Sequence, residues 1–400
     1  MERVHGSRHL LVSLYGLFFI AELGQSMLVP LVPVFAREFA LTEIGTGAIL
    51  SAATLTTVAV AVPAGLAADR FGALRVSVAA GLVLAAAALV QGFAGDFATL
   101  LAGRVVFGVA FATIWTAGIA LLTTESRAGA VAGAVTVGGL AHLVGPPVSG
   151  YLTELVGRSV PFFVLATAGL VVSALLALAR APRERSTGSP GLRTAARAVR
   201  RQRVLRSAVI VMAFIGTFTG LVPLVVPLLL DERGYSSGDI GAVFAAGSIA
   251  WVTMSALAVR TGERAVTVRM AAGGLVLLGV ATLVPSATLV APCLIAFVLL
   301  RACVQAPLST INYVLGGNGA RAAGLASGTA IGLLNVVWGI CAGAAPLLGG
   351  AVMQMFGARP VFGVLAVACL LGGAALGLSP RWPNLRRPWR SPAQPAYQRI

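Results

Sequence analysis

Residues 65–75 read GLAADRFGALR and separate two long apolar stretches. A break that only reverses the chain needs no more than a few polar residues. This one carries two glycines, an acid and two arginines as Gly65-x-x-x-Asp69-Arg70-x-Gly72-x-x-Arg75. Gly65 and Gly72 permit a tight turn and close backbone approach. Asp69 has the charge that a helix N-terminus favours, and Arg70 and Arg75 suit acids or helix C-termini. What the break does depends on the stretches around it.

Those stretches are of membrane length. Of 400 residues, 58% are hydrophobic and only 10% charged, with mean hydropathy +0.93. Soluble domains are about 25% charged, so a soluble multidomain protein is excluded and a polytopic membrane protein remains. Twelve runs are long enough to cross a bilayer, near 10–35, 44–67, 74–94, 97–121, 128–151, 160–180, 207–230, 239–259, 267–285, 289–313, 323–348 and 361–378. Most breaks are short; 181–206, APRERSTGSPGLRTAARAVRRQRVLR, is long and basic and divides the spans six and six. The expected fold is an all-α membrane protein with a six-helix bundle over 1–180, a linker over 181–206, a second bundle over 207–380 and a tail over 381–400.

The net charge is +16 and every one of the 29 basic residues is arginine, which we read as the codon usage of a GC-rich genome. Their placement sets the orientation. With the N-terminus in the cytoplasm, only Arg37, Arg158, Arg233 and Arg359 face outward; Arg104 and Arg301 lie within spans and the other 23 face inward. This is the positive-inside bias. It predicts a bacterial inner-membrane protein with both termini cytoplasmic, whose basic loop meets anionic headgroups rather than nucleic acid. Cys293, Cys303, Cys341 and Cys369 lie in apolar runs without ligand spacing and read as small hydrophobes. The first apolar run continues too far for a cleavable signal.

The halves repeat each other. GLVL at 81–84 recurs at 274–277, Arg104 with Thr113-Ile114 as Arg301 with Thr310-Ile311, and GPPVSG at 145–150 as APLLGG at 345–350. Phe162-x-Val164-Leu165-Ala166 recurs as Phe362-x-Val364-Leu365-Ala366, and the offset drifts only from 193 to 200. Parallel repeats imply a pseudo-two-fold axis along the membrane normal and a site at the midplane between the halves.

With this context the 65–75 break closely resembles the cytoplasmic signature loop of the major facilitator superfamily, and the resemblance extends over roughly residues 10–380. It implies that Gly65, Asp69, Arg70, Gly72 and Arg75 form a latch between the halves, with Asp69 near the start of span 11. The second-half copy, SALAVRTGERA at 255–265, keeps Arg260 and Gly262 but has Val259 in place of the acid, so no latch role is expected there. Gly145-Pro146-Pro147-Val148-Ser149-Gly150 resembles the family's antiporter motif, with Ser149 in place of the first terminal glycine; Gly145, Pro146 and Gly150 keep the pattern. That motif implies an exporter that exchanges its cargo for protons. Proline bends a span and small residues let helices approach, so a plain packing kink is the alternative.

A charge inside a span is costly and is functional by default. Of thirteen acids, Glu22 alone lies well within a span. Counting residues at 1.5 Å each puts it near the level of Arg104, and Arg104 matches an arginine that the family associates with proton coupling, although Phe107 replaces the motif's Gln. Burial disfavours a charged carboxylate and a nearby arginine favours it, so the pair can toggle a proton; a static ion pair is the alternative. His142, one turn before the Gly-Pro, is a third proton-coupling candidate. Arg301 has no acid in its half and meets either carbonyls or an anionic part of a substrate. Gln25, Trp115, Gln305, Asn312, Asn335 and Trp338 are candidate cavity residues, and an apolar pocket with one acid suits lipophilic compounds, especially cations. Pro30, Pro33, Pro223 and Pro227 shape the outer gate.

The expected function is export of small lipophilic or drug-like molecules in exchange for protons, by alternating access and without a cofactor. The expected partners are substrate, protons and lipid, with the protein a monomer. A dedicated exporter of one endogenous metabolite is the alternative. A transport-dead sensor has the intact motifs against it. An enzyme lacks HExxH, GxSxG, a phosphate loop or paired midspan carboxylates, and His5, His9 and His142 do not cluster as metal ligands.

Overall fold

In a computed structural model, residues 2–124, 130–179, 199, 201–259, 266–324 and 327–378 are described, and they are helical almost throughout. The linker up to Arg200 except Val199, the tail, and Arg260 and Gly262 of the decayed loop copy lie outside the described residues. The first crossing is α1, Glu2–Ser26, continued by a 3-10 turn, Val29–Leu31, and a short helix, Val32–Glu38. Then follow α2 Glu43–Phe71, α3 Ala73–Gly92, α4 Phe97–Thr124, α5 Ala130–Val156 and α6 Val160–Ala177. The second set is α7 Arg203–Asp231, α8 Ser237–Val259, α9 Val268–Ala287, α10 Ala291–Ala322, α11 Ser327–Phe356 and α12 Ala358–Gly377.

Eleven of these crossings are long and apolar enough to span a membrane. The remaining one, α5, has 27 residues and carries His142, Glu154 and two prolines. Several boundaries differ from the sequence expectation. Helix α7 starts at Arg203, four residues inside the expected linker. Helices α10 and α11 run about two turns beyond the expected ends of spans 10 and 11; in α10 the glycines at 316, 317 and 319 stay helical. Gly319 does so where it packs tightly: a Cβ there would lie 2.6 Å from the Leu205 nitrogen.

The packing is pseudo-symmetric. In the first set α3 packs on α4 and α6, α2 on α4, and α1 on α5; in the second, α9 packs on α10 and α12, α8 on α10, and α7 on α11. The sets meet along α2 with α11 and α5 with α8, and there the backbones approach closely. A Cβ on Gly47 would lie 2.3 Å from the Pro346 carbonyl oxygen, and one on Gly241, 194 residues later, 2.4 Å from that of Pro146. Gly350 and Gly150 repeat the pattern, at 2.3 Å from the carbonyl oxygens of Glu43 and Ser237. Only glycine fits at such points.

These four contacts gather at the end where α2 and α8 begin, which we call the sealed end. Polar bonds between the sets reinforce it. The Gly238 N–H donates to Glu154 Oε1 at 2.5 Å and, at the symmetry-related place, the Ile44 N–H donates to Gln354 Oε1 at 3.5 Å. Each bond satisfies one of the unpaired N–H groups of a helix's first turn. Arg37 also pairs with Asp231 across the sets; within the first set Arg158 pairs with Glu38, its guanidinium 5.4 Å from the rings of Phe35 and Phe39.

Candidate proton and substrate site

The site begins with a helix break. Pro30 lacks an N–H, so α1 cannot continue; Leu31 N donates to Leu28 O instead of to Met27 O. The Met27 carbonyl takes the Ser149 hydroxyl of α5 at 2.8 Å. That explains the departure from the family motif, since a glycine at 149 would leave this carbonyl without that donor. The residue before Met27, Ser26, donates through Oγ to Ala141 O of α5 at 3.2 Å. A Cβ on Gly145 would lie 2.2 Å from that hydroxyl.

On the same face, Glu22 Oε2 lies 3.0 Å from His142 Nε2, with the carboxyl side chain 14% and the imidazole 48% exposed. Glu22 therefore pairs with His142, not with Arg104 as expected. Arg104 bonds Gln25, one turn along α1 from Glu22; depth along a helix does not fix the direction in which a side chain points. Glu22 points toward α5, where a Cβ on Gly138 would touch its Cγ at 3.2 Å. Pro146 removes the N–H that would bond to the His142 carbonyl four residues before it. That carbonyl accepts instead from Ser248 Oγ of α8 at 3.0 Å. Ser248 Oγ is also 3.0 Å from its own helix's Phe244 O, and one hydroxyl proton serves one of the two at a time. The titratable pair is thus tied through a proline-freed carbonyl to the opposite set of helices.

Arg104 is fully buried. Its Nη2 donates to Gln25 Oε1 at 3.0 Å and its Nε to Ile49 O at 3.4 Å, and its guanidinium lies 4.9 Å from the Phe107 ring. Phe107 stands where the family motif has Gln, and Gln25 of α1 supplies the amide from another helix. Arg301 donates through Nη1 to Gln305 Oε1 at 2.8 Å, and Gln305 is held by Ile215 O at 3.1 Å and Thr219 Oγ1 at 3.2 Å of α7. Asn312 Nδ2 donates to Ala208 O at 3.0 Å. Gln305 and Asn312 are both 0% exposed, so as found they tie α10 to α7 and offer no atom to a cavity. Asn335 accepts from the Tyr313 hydroxyl at 2.9 Å. Trp115 packs against Phe18 at 4.7 Å between ring centroids, and Trp338 is half-buried.

In the loop that opened the sequence reading, Gly72 has φ +89° and ends α2, a conformation that side chains resist. Gly65 faces Thr116 of α4, 3.6 Å from where its Cβ would be, which is ordinary contact and not a close approach. Asp69, Arg70 and Arg75 are exposed, and Arg70 lies 5.2 Å from the Phe71 ring. Ser248 and the Glu154 and Gln354 bonds escaped the sequence reading. A proline four residues after His142 signals the freed carbonyl, but nothing local names its donor.

A family model described as Major Facilitator Superfamily matches residues 14–329. The vesicular acetylcholine transporters of Rattus norvegicus and Homo sapiens are 36% identical over 99 residues, covering 24% of this chain. The chain spans about a fifth of the length of these curated relatives, 19%. Among solved structures, a bacterial homolog of the human lysosomal transporter Spinster, inward-facing and unoccupied, superposes with TM-score 0.76 at 17% identity, over 93% of this chain and 96% of that one. The nucleoside transporter NupG superposes with TM-score 0.73 at 13% identity, over 92% and 98%. The human organic anion transporter MFSD10 gives 0.66 at 20%, over 92% and 99%. At these identities the likeness is one of fold.

Proposed function

The chain belongs to the Major Facilitator Superfamily, a family of multi-pass secondary transporters, and we propose that it exports small lipophilic or drug-like molecules across a bacterial inner membrane in exchange for protons. The two six-helix bundles rock about the α2–α11 and α5–α8 seams. The sealed end is the outer face, and the termini, linker and 65–75 latch are cytoplasmic.

The observation that carries the proposal is the Glu22–His142 pair with its link to Ser248. A carboxylate and an imidazole 3.0 Å apart can hold one proton between them. Gaining or losing a proton changes how strongly α1 holds α5 at His142. The backbone of that same residue touches α8, so the change reaches the seam that must open. When the outer end opens, the pair takes a proton; after reorientation, cargo entering from the cytoplasm or inner leaflet favours its release. Arg104 of α4, bound to Gln25 one turn along α1 from Glu22, places a positive charge beside the same helix α1.

The test uses proteoliposomes with an imposed pH gradient and a lumenal pH dye. Lipophilic drugs should release protons with wild type and not with Glu22→Gln. Proton release by Glu22→Gln equal to wild type overturns the reading.

A further inference from the structure

We infer that Arg301 is the docking point for an anionic group, a carboxylate or sulfonate, on the transported molecule. The inference deepens the transport reading, and rests on it only in taking the space between the helix sets to receive a ligand.

The charge census inside the bundle comes first. Among the described residues of the membrane-spanning stretches, Glu22 is held by His142, and neither Arg104 nor Arg301 has a carboxylate partner. The interior therefore carries uncompensated positive charge, which favours anions over the cations that a lone Glu22 suggested. Buried charges are ordinarily paired, so the two arginines need separate accounts.

Arg104 is enclosed. It is 0% exposed, stacked near Phe107 and bonded to a carbonyl and an amide on two other helices. Arg301 occupies the repeat-equivalent position and also bonds an amide, but among the described residues it has neither the carbonyl partner nor the aromatic ring, and it is not fully enclosed. It is half-buried, and its one protein partner among the described residues is Gln305, one turn along its own helix. Of five guanidinium N–H donors, only Nη1 is engaged, while Nε is enclosed with no partner. A relic of duplication would keep the arginine's old contacts or lose the arginine. Here a new set has been built.

That set fixes the guanidinium. Gln305 receives Arg301 with its oxygen and spends its nitrogen on Ile215 O and Thr219 Oγ1, so its amide is oriented by α7 and it orients Arg301 in turn. Asn312 further along α10 ties the same pair of helices. Arg301 lies ten residues into α10 from the sealed end, about 15 Å deep, at the level expected for a midplane site. With Nε enclosed and Nη1 on Gln305, Nη2 is the donor left for cargo, and a charge-assisted bond from an oriented guanidinium suits a carboxylate or sulfonate oxygen.

The experiment is equilibrium binding to the purified full chain with matched triples on one aromatic body, such as 2-naphthoate, 2-naphthamide and 2-naphthylmethylamine, extended to other aryl scaffolds. The acid should lead in one or more triples. Arg301→Gln should weaken that acid about ten- to hundred-fold while leaving its amide unchanged, which also shows the variant is folded. Arg301→Lys should retain part of the preference. If no acid in the panel outbinds its amide, or Arg301→Gln keeps the preference, the assignment is overturned. Binding needs no proton flux, so the acid preference should survive in Glu22→Gln. Failure of proton exchange with the preference intact sinks the exchange reading alone.

Discussion

Gly150→Ala tests whether the sealed end depends on backbone contact. The added Cβ would lie 2.3 Å from Ser237 O, 2.8 Å from Ser237 C and 3.1 Å from Gly238 Cα. Ordinary contact begins near 3.4 Å, so α5 and the start of α8 must part by about 1 Å, and a backbone atom cannot swing aside as a side chain can. Overpacking of this kind costs about 1–3 kcal/mol, charged to the closed arrangement only. The population open at this end should rise roughly 5- to 150-fold. Spin labels at Gly95→Cys and Val290→Cys, in a background with the four native cysteines replaced, report the separation of the two sets. A Cβ at Gly95 meets nothing within 4 Å and Val290 is 52% exposed, so the labels should not disturb packing. Gly150→Ala should add a longer distance. Gly139→Ala, in the same helix with nothing within 4 Å of its Cβ, should not. A folded Gly150→Ala whose distances superimpose on those of Gly139→Ala would refute the close-contact argument.

Further outcomes follow from the same geometry. Glu154→Gln keeps an acceptor for Gly238 N and copies the Gln354 arrangement, so the same labels should move less than in Glu154→Ala, and equal movement would show that the bond is idle. Ser248→Ala removes the donor to His142 O and should raise the open population about fivefold, a typical hydrogen-bond contribution of about 1 kcal/mol; an unchanged population would disconnect the pair from α8. Asp96 caps α4, accepting from Thr99 N at 2.8 Å and from its hydroxyl at 3.1 Å, and the backbone bond chiefly holds its carboxyl below the ordinary 3.8. Its folded value is depressed, so the cap's contribution is full above the unfolded value and is lost as pH falls through the folded one. The melting-temperature difference between wild type and Asp96→Ala should be constant near neutrality and shrink toward pH 3; a constant difference throughout would show that the charge is irrelevant.

Much of the fold was legible because membrane helices advertise themselves by length and hydropathy, and because a duplicated chain states its topology twice. The antiporter-like stretch was legible for the same reason: Pro146 and Gly150 have counterparts at Pro346 and Gly350, and both pairs lie at the seams. The site was harder. Finding Glu22 and Arg104 needed only the observation that charges inside spans are rare. Pairing them needed the rotation of each helix about its own axis, which depends on side-chain packing among several helices and leaves no mark in local sequence. Gln305 and Asn312 show the same limit: their polarity marks them as important, while the bonds that hold them to the Ile215 and Ala208 carbonyls depend on how α10 turns toward α7.

The departures from symmetry carry the functional argument. Gly216 stands 194 residues after Glu22, and Ala342 stands 200 after His142. Where α1 and α5 are spaced by a carboxylate and an imidazole, α7 and α11 close up: a Cβ on Gly216 would lie 2.6 Å from Trp338 O, and one on Gly220 2.1 Å from Ala342 O. The α1–α5 contact can change with a proton and the α7–α11 contact cannot. Conversely, Gly108 of α4 sits against Ala53 O at a would-be 2.4 Å, while its counterpart Gln305 holds Arg301 toward α7. The first set thus has an acid–imidazole pair and encloses its arginine; the second has no such pair and leaves its arginine half-buried. A transporter that handles protons in one bundle and grips cargo with the other needs that division, and a symmetric packing scaffold does not.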